Sequence, residues 1–356
     1  MTLKQCIRAA IGDRGRSFVT RTKYALGRRP RVNHAAAGSL SYPEGRRAAI
    51  VISADLELAW AWRYAREFRD PLAFARQRAY QGRHNLPIIL ELCDQYGLPV
   101  TWATVGHLFL EHCDRADGRA HPEMPRVPYF QNEFWAYRAG DWFDSDPGAT
   151  CSADPEWLCW YAPDLVTSIL KRRVAHEIGC HTFSHVVFSD KHCPNEVAAA
   201  ELRCCQEAAR LRGIVLRSFV FPGNVPGNYG SLRDAGFVAY RIETAYELDV
   251  PRRDGLGLWQ IPGGITLEKP YRSWTAAEQV RLLRTYVDAA IAHGLVCSFW
   301  FHPETDPSNV TEVFQPIFEY IASRPELWVT TMSDLARWLD AEVTQQYPAR
   351  ATSAAS

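Results

Sequence analysis

The chain of 356 residues balances 40 Lys and Arg against 40 Asp and Glu at a sequence pI near 7.2, so no global field draws in a polyanion, and nucleic acid is not an expected partner. No run approaches the roughly 20 apolar residues that cross a bilayer. With no secretory apolar region and cleavage site at the N-terminus, the expectation is a cytoplasmic protein. Its ten cysteines follow no CxxC or framework spacing and several sit in apolar runs, the pattern of reduced, mostly buried thiols.

Residues 1–45 read as a basic arm. Lys4, Arg8, Arg14, Arg16, Arg21, Lys23, Arg28, Arg29 and Arg31 are opposed before residue 40 only by Asp13. Three readings stay open for it: a solvated tail, a transit segment, or a short helix with Leu3, Ile7 and Ile11 on one face making peripheral contact with an anionic membrane.

From Arg46 strands and helices alternate. Arg47 to Ser53 is a continuous apolar run, as in strands buried on both faces, and it leads into Asp55-Leu-Glu57. Helical spacing from Leu86 to Tyr96 ends at Gly97, and Pro99 to Val105 reads as the next strand, completing a βαβ unit. Residues 112–162 break the rhythm with seven aromatics between Tyr129 and Phe143. They read as an insertion over one barrel rim, either a substrate flap or a subdomain or subunit contact.

Beyond it come a helix over Asp164–Arg173, a strand over Glu177–His181 and a helix over Glu196–Arg212. Strands over Ser218–Asn224, Phe237–Ile242 and Leu258–Pro262 follow. A helix over Ala276–His293, a strand over Leu295–Phe301 and a strand over Trp328–Thr331 with its helix complete the order. Such alternation predicts an α/β fold, a distorted (β/α) barrel, closed or incomplete, of seven to eight parallel strands over 46–343, with 344–356 as a disordered tail. Active groups in such a barrel gather at the C-terminal strand ends.

Polar groups fall at those ends: Asp55 and Glu57 after the first strand, His181 and His185 after a middle one, and His302 in Phe301-His-Pro. Histidines four apart in an extended chain sit roughly 13 Å apart, whereas one helical turn brings them within about 6 Å. A turn at Thr182-Phe-Ser therefore lets both imidazoles reach one divalent ion. Two imidazoles and a carboxylate are a catalytic ligand set that leaves a position for water.

His181-Thr-Phe-Ser-His185, with its lead-in His176-Glu-Ile-Gly-Cys, is the H-[ST]-x-x-H motif. Together with Pro99 to Gly106 and Phe301-His-Pro, it makes residues of about 46–340 resemble the polysaccharide deacetylases, the family sharing the homology domain of the nodulation-factor deacetylase. The resemblance implies metal-dependent removal of an acetyl group from an N-acetylated sugar or saccharide. It implies zinc as the metal, with cobalt, nickel or iron as alternatives, and Glu57, His181 and His185 as ligands.

It further implies Asp55 as base, His302 as acid, Arg217 as the residue orienting the base, and Pro222, Asn224 and Trp259 against the substrate. The opening motif departs from the usual T-F-D-D-G: Ser53-Ala-Asp-Leu-Glu57 carries Leu56 where a carboxylate is usual, so Asp55 as ligand remains open. Arg217 to Asn224 is longer than the usual R-x-P-[YF]-G. Two other functions stay open, a cyclic-amide or ureide hydrolase on the same fold and a catalytically silent carbohydrate-binding protein. The sequence sets no oligomeric state.

Overall fold

A computed structural model describes residues 29–346 apart from 114, 128–129, 132–134, 138–140, 147–154 and 271–273. Its core strands are β1 (Ala48–Leu56), β2 (Thr101–Thr104), β3 (Glu177–Cys180), β4 (Ser218–Val220), β5 (Ala239–Ile242), β6 (Trp259–Pro262), β7 (Ile265–Thr266), β8 (Val296–Phe301) and β9 (Leu327–Thr330). Around them lie helices α1 (Pro71–Tyr96), α2 (Pro163–Leu170), α3 (Asn195–Arg210), α4 (Tyr229–Asp234), α5 (Ala276–His293), α6 (Gln315–Ala322) and α7 (Met332–Gln346).

Seven strands pair in parallel in the order β8-β1-β2-β3-β4-β5-β6. The ring closes through a bend. β6 pairs with β5, the chain turns at Gly263-Gly264, and β7 then pairs with β8 through Ile265 opposite Phe299. Gly264 has φ +67, and a Cβ there would lie 1.7 Å from the Ser298 carbonyl oxygen, so the seam demands glycine. β9 extends the sheet by pairing with the first half of β1, whose second half pairs with β2. The seven to eight expected parallel strands are present, and β7 is the one the sequence reading passed over.

Strand alternation sorts the residues into two faces. Ala48, Ile50, Ile52, Ala54 and Leu56 pack outward with the helices in the larger apolar cluster. Ala49 and Val51 point inward, meeting Ala103, Val220, Ala239, Ile261 and Val296, while Met332, Leu335, Ala336 and Leu339 of α7 plug that end of the barrel. Continuing the inward phase toward the strand ends gives Ser53, Asp55 and Glu57 on β1, Arg241 on β5, and Ser298, Trp300 and His302 on β8. The floor of the barrel is apolar and its mouth is polar by the same period of two.

α1 begins 15 residues earlier than the predicted helix, capped by Asp70 and closed by Gly97 in the left-handed conformation. Of the basic arm, residues 1–28 lie outside the described residues. Residues 29–45 lie against the barrel, with Val32 bridging to Leu248 and Tyr42 in the plug cluster. The last helix runs to Gln346, and residues 347–356 lie outside the description. No helix among the described residues is long and apolar enough to cross a membrane. The described cysteines are unpaired, and all but Cys204 are buried.

Candidate active site

Glu57 Oε1 lies 3.0 Å from His181 Nε2 and 3.1 Å from His185 Nε2. The two imidazole centroids are 5.1 Å apart, as the predicted turn requires. All three side chains are buried. His181 Nδ1 sits 2.8 Å from the Val220 carbonyl, which can only accept, so Nδ1 carries the hydrogen and the uncharged tautomer turns the Nε2 lone pair toward a carboxylate oxygen. Glu57 Oε2 is buried and without a hydrogen-bond partner. Two acceptors facing each other beside an orphaned oxygen fit a cation, and the N,N,O donor set suits a divalent one.

Charge reinforces the geometry. Burial works against ionisation of Glu57, but His185 and His302 with the imidazole hydrogen bonds override it and hold the carboxyl well below its usual range. Burial depresses His185, favouring the neutral, ligating ring.

The turn carrying both histidines is strained and held from outside. Thr182 and His185 both have φ 60, uncommon for histidine and a genuine outlier for the β-branched threonine. Glu201 of α3 accepts from the Phe183 and Ser184 amides at 2.8 Å each and from Ser184 Oγ at 2.6 Å. Trp142 of the insertion donates Nε1–H to the same Ser184 Oγ at 2.8 Å. Gly106 and His107 amides bond the Thr182 and Phe183 carbonyls at 2.8 and 2.9 Å. A buried carboxylate, an indole and the β2 loop thus fix the turn.

Asp55 is gripped by a guanidinium, and the arginine is not the expected one. Arg241 donates Nη1–H to Asp55 Oδ1 at 2.8 Å and Nη2–H to Oδ2 at 2.7 Å, with a further bond from Nη1 to Ser53 Oγ at 2.8 Å. Bidentate pairing fixes the carboxylate plane. Arg217 is exposed immediately before β4, at the strand end opposite the site. Arg241 carried a signal: it is a charge inside the apolar strand Phe237–Ile242, where burial demands a partner.

His302 follows β8. Its Nδ1 lies 2.8 Å from Glu268 Oε1, leaving Nε2 toward the cavity and 3.9 Å from Glu57 Oε2. Burial alone would lower this imidazole, but the carboxylates of Glu268 and Glu57 overrule it and raise it to about 10. Glu304 supports β1 from below, accepting from the Leu58 amide at 2.6 Å and the Glu57 amide at 3.2 Å. Burial, then the nearby Glu57 charge, pushes it up to about 7. Neither Glu268 nor Glu304 had a motif to announce it.

A cavity of about 260 Å³ joins these groups, lined by Asp55, Glu57, His185, Asn224 and His302, with Trp62, Trp135 and Trp300 as its aromatic walls. Trp135 comes from the insertion, donates Nε1–H to the Ala61 carbonyl at 2.9 Å and lies edge-on to His185 at 5.9 Å. It rests on Gly223, where a Cβ would meet the indole at 2.3 Å, so only glycine admits it. Asn224 Oδ1 accepts from Arg241 at 3.3 Å and Pro222 is buried beside it. Trp259 is elsewhere: it starts β6 in the plug cluster and donates Nε1–H to Asp340 at 2.8 Å, so it does not reach the cavity. Direction along the strand explains the difference, since Trp259 is at the closed end and Trp300 near the open one. His176 is likewise away from the cavity, half-buried just before β3 and accepting from the Val100 amide at 3.1 Å.

No family model and no curated protein matches the chain. Among solved structures, a Mycobacterium smegmatis protein described as a polysaccharide deacetylase superposes with a TM-score of 0.59 at 16% identity, covering 85% of this chain and 94% of that one. A Pseudomonas aeruginosa PAO1 protein, also described as a polysaccharide deacetylase, gives 0.56 at 12% identity over 87% and 95%. The allantoinase PuuE gives 0.55 at 14% identity over 84% and 92%. The chain therefore has the (β/α) barrel fold of the solved polysaccharide deacetylases, and it shares that fold with an allantoinase as well.

Proposed function

We propose that this protein is a metal-dependent amide hydrolase that removes an acetyl group from an N-acetylated sugar or saccharide. The reading rests above all on Glu57 Oε1 shared between His181 Nε2 and His185 Nε2, beside a carboxylate locked by Arg241. Glu57, His181 and His185 would hold a divalent ion, which would supply Lewis acidity toward water and an acyl oxygen. Zinc is the metal this donor set suits first.

The chain's own residues supply the remaining chemistry. Asp55, on the inward face beside Glu57, accepts the proton of the attacking water at a carboxylate oxygen, and Arg241 holds that oxygen in place. His302, an imidazolium near neutral pH, donates from Nε2 to the departing nitrogen while Glu268 holds Nδ1. Splitting base and acid suits amide cleavage, because an amine leaves only when protonated. The cavity is near the lower bound of ligand sites and walled by Trp135, which favours one acylated ring over several residues of a long polymer.

The same small cavity, together with the likeness to an allantoinase, supports a second reading: opening of a cyclic amide or ureide by the same groups. Metal-loaded protein should release acetate from N-acetylglucosamine and its short oligomers. Ring opening of a cyclic ureide without acetate release would replace the first reading by the second. Saccharide binding without turnover of either would leave a silent binding protein.

A further inference from the structure

The insertion brings together a second set of metal-ligating side chains, well apart in sequence from the catalytic motifs. His107 leaves the turn after β2, Cys113 follows it, and His121 and Asp146 come from the insertion. All four are buried. Their polar atoms converge on one oxygen: Asp146 Oδ2 lies 2.8 Å from His107 Nε2, 3.0 Å from His121 Nε2 and 2.8 Å from Cys113 Sγ. The two Nε2 atoms are 3.0 Å from each other.

Protons alone serve this arrangement poorly. His107 Nδ1 lies 3.0 Å from the Trp160 carbonyl, an obligate acceptor, so its hydrogen is committed there and the neutral ring aims a lone pair at a carboxylate. Charging that ring points His107, His121 and Cys113 at one oxygen that has two lone pairs, so Cys113 has to turn its S–H to the Tyr161 oxygen at 3.0 Å instead. The other carboxylate oxygen is already occupied, since Tyr161 donates its hydroxyl to Asp146 Oδ1 at 2.8 Å. His121 Nδ1 faces Glu123 at 3.7 Å. His107 and Asp146 are thus each hydrogen-bonded to an outer partner, the pattern that orients first-contact ligands in metal sites.

The geometry points to a second, structural metal site in which His107 Nε2, Cys113 Sγ, His121 Nε2 and Asp146 Oδ2 hold one divalent ion, zinc by its mixed nitrogen, sulfur and oxygen donors. Four protein ligands close the coordination shell, so the ion has no open position for water and acts as a staple. Tetrahedral bonds of about 2.1 Å set ligand atoms about 3.4 Å apart, so loading moves these donors outward by a few tenths of an ångström. Cys113 gives up its thiol proton on binding. The staple ties the insertion, with Trp135 and Trp142, to His107, whose amide bonds the Phe183 carbonyl inside the catalytic turn.

Metal analysis and cobalt substitution on the full chain test this, and they read the two sites separately. The wild type should carry two ions per chain. The double variant His181→Ala/His185→Ala should keep one and, loaded with cobalt, show the near-ultraviolet thiolate-to-cobalt charge-transfer band that the catalytic ligands, lacking sulfur, cannot give. Adding Cys113→Ser should abolish the band. Should the double variant not fold, cobalt-loaded wild type against Cys113→Ser gives the same comparison. One ion per chain in the wild type with no such band overturns the second site and leaves the catalytic one. One ion with the band supports the second site and removes the metal from the catalytic reading.

Discussion

The barrel mouth and the insertion each gather histidines and carboxylates into a buried knot, but they do so by different means. At the mouth, regular strands deliver the side chains: Asp55, His181, Arg241, Trp300 and His302 all continue an inward-facing period of two that begins among Ala49, Val51 and Val296. In the insertion, the described residues form only two-residue strands and the four-residue helix Trp157–Trp160; His107 comes from the 3-10 turn Gly106–Phe109, and Cys113, His121 and Asp146 meet it through loops and turns. One knot is held in place by backbone ladders; the other is held by side-chain contacts, with Arg126 bonding the His121 carbonyl at 2.7 Å and Tyr161 bonding Asp146 at 2.8 Å. Removing a ligand should therefore do different things in the two places: at the mouth chemistry fails while the fold survives, and in the insertion local order suffers first.

The largest break in that comparison comes from His181→Ala. It should abolish metal at the mouth and acyl-bond hydrolysis together, with the circular dichroism spectrum retained; turnover persisting in metal-depleted variant would count against the ligand assignment. Asp55→Asn keeps the shape and removes the base, and should lower kcat by about 10²–10⁴-fold with metal content unchanged. Arg241→Lys replaces the fork with a single donor and should cost on the order of 10²-fold in kcat by misplacing that carboxylate, whereas Arg217→Lys at the far strand end should leave kcat as it was.

Stability gives the next contrast. Glu201 takes three hydrogen bonds from the turn that carries His181 and His185 without touching the cavity, and Glu201→Ala leaves two buried amides unsatisfied. A loss of about 3 kcal/mol, read from denaturant midpoints at constant m, is expected. An unchanged midpoint would mean that the turn is held from elsewhere.

The barrel was legible because buried parallel strands leave long apolar runs, and the site because barrel topology sends polar strand-end residues to one face. Asp55, Glu57, His181, His185 and His302 were brought together that way, as a candidate site. Arg217 was misplaced because a motif longer than the usual one was aligned by residue type, while strand direction put it at the wrong end. Trp259 failed for the same reason. Glu268, Glu304 and Glu201 reach the site only through tertiary packing, with no spacing in the sequence to mark them. The second cluster was missed because its histidines and cysteine follow none of the regular ligand spacings and fall where loops, which periodicity does not describe, do the positioning.

The smallest expected effect is also the one that isolates the acid. His302 donates only while protonated, so activity should hold at neutral pH and fall as pH rises through its raised value near 10. Burial by itself would pull that limb down; the Glu268 charge leads the groups that push it up, ahead of Glu57, and Glu268 remains beside the ring when an ion engages Glu57. Glu268→Gln keeps a hydrogen-bond acceptor at Nδ1 but removes the negative charge, so the imidazolium gives up its proton more readily. The alkaline limb of kcat/KM should move to lower pH, while the rate well below the limb changes little and metal content not at all. If the limbs of wild type and Glu268→Gln coincide, the group that titrates there is not His302, and the acid must be sought among the other residues of the cavity.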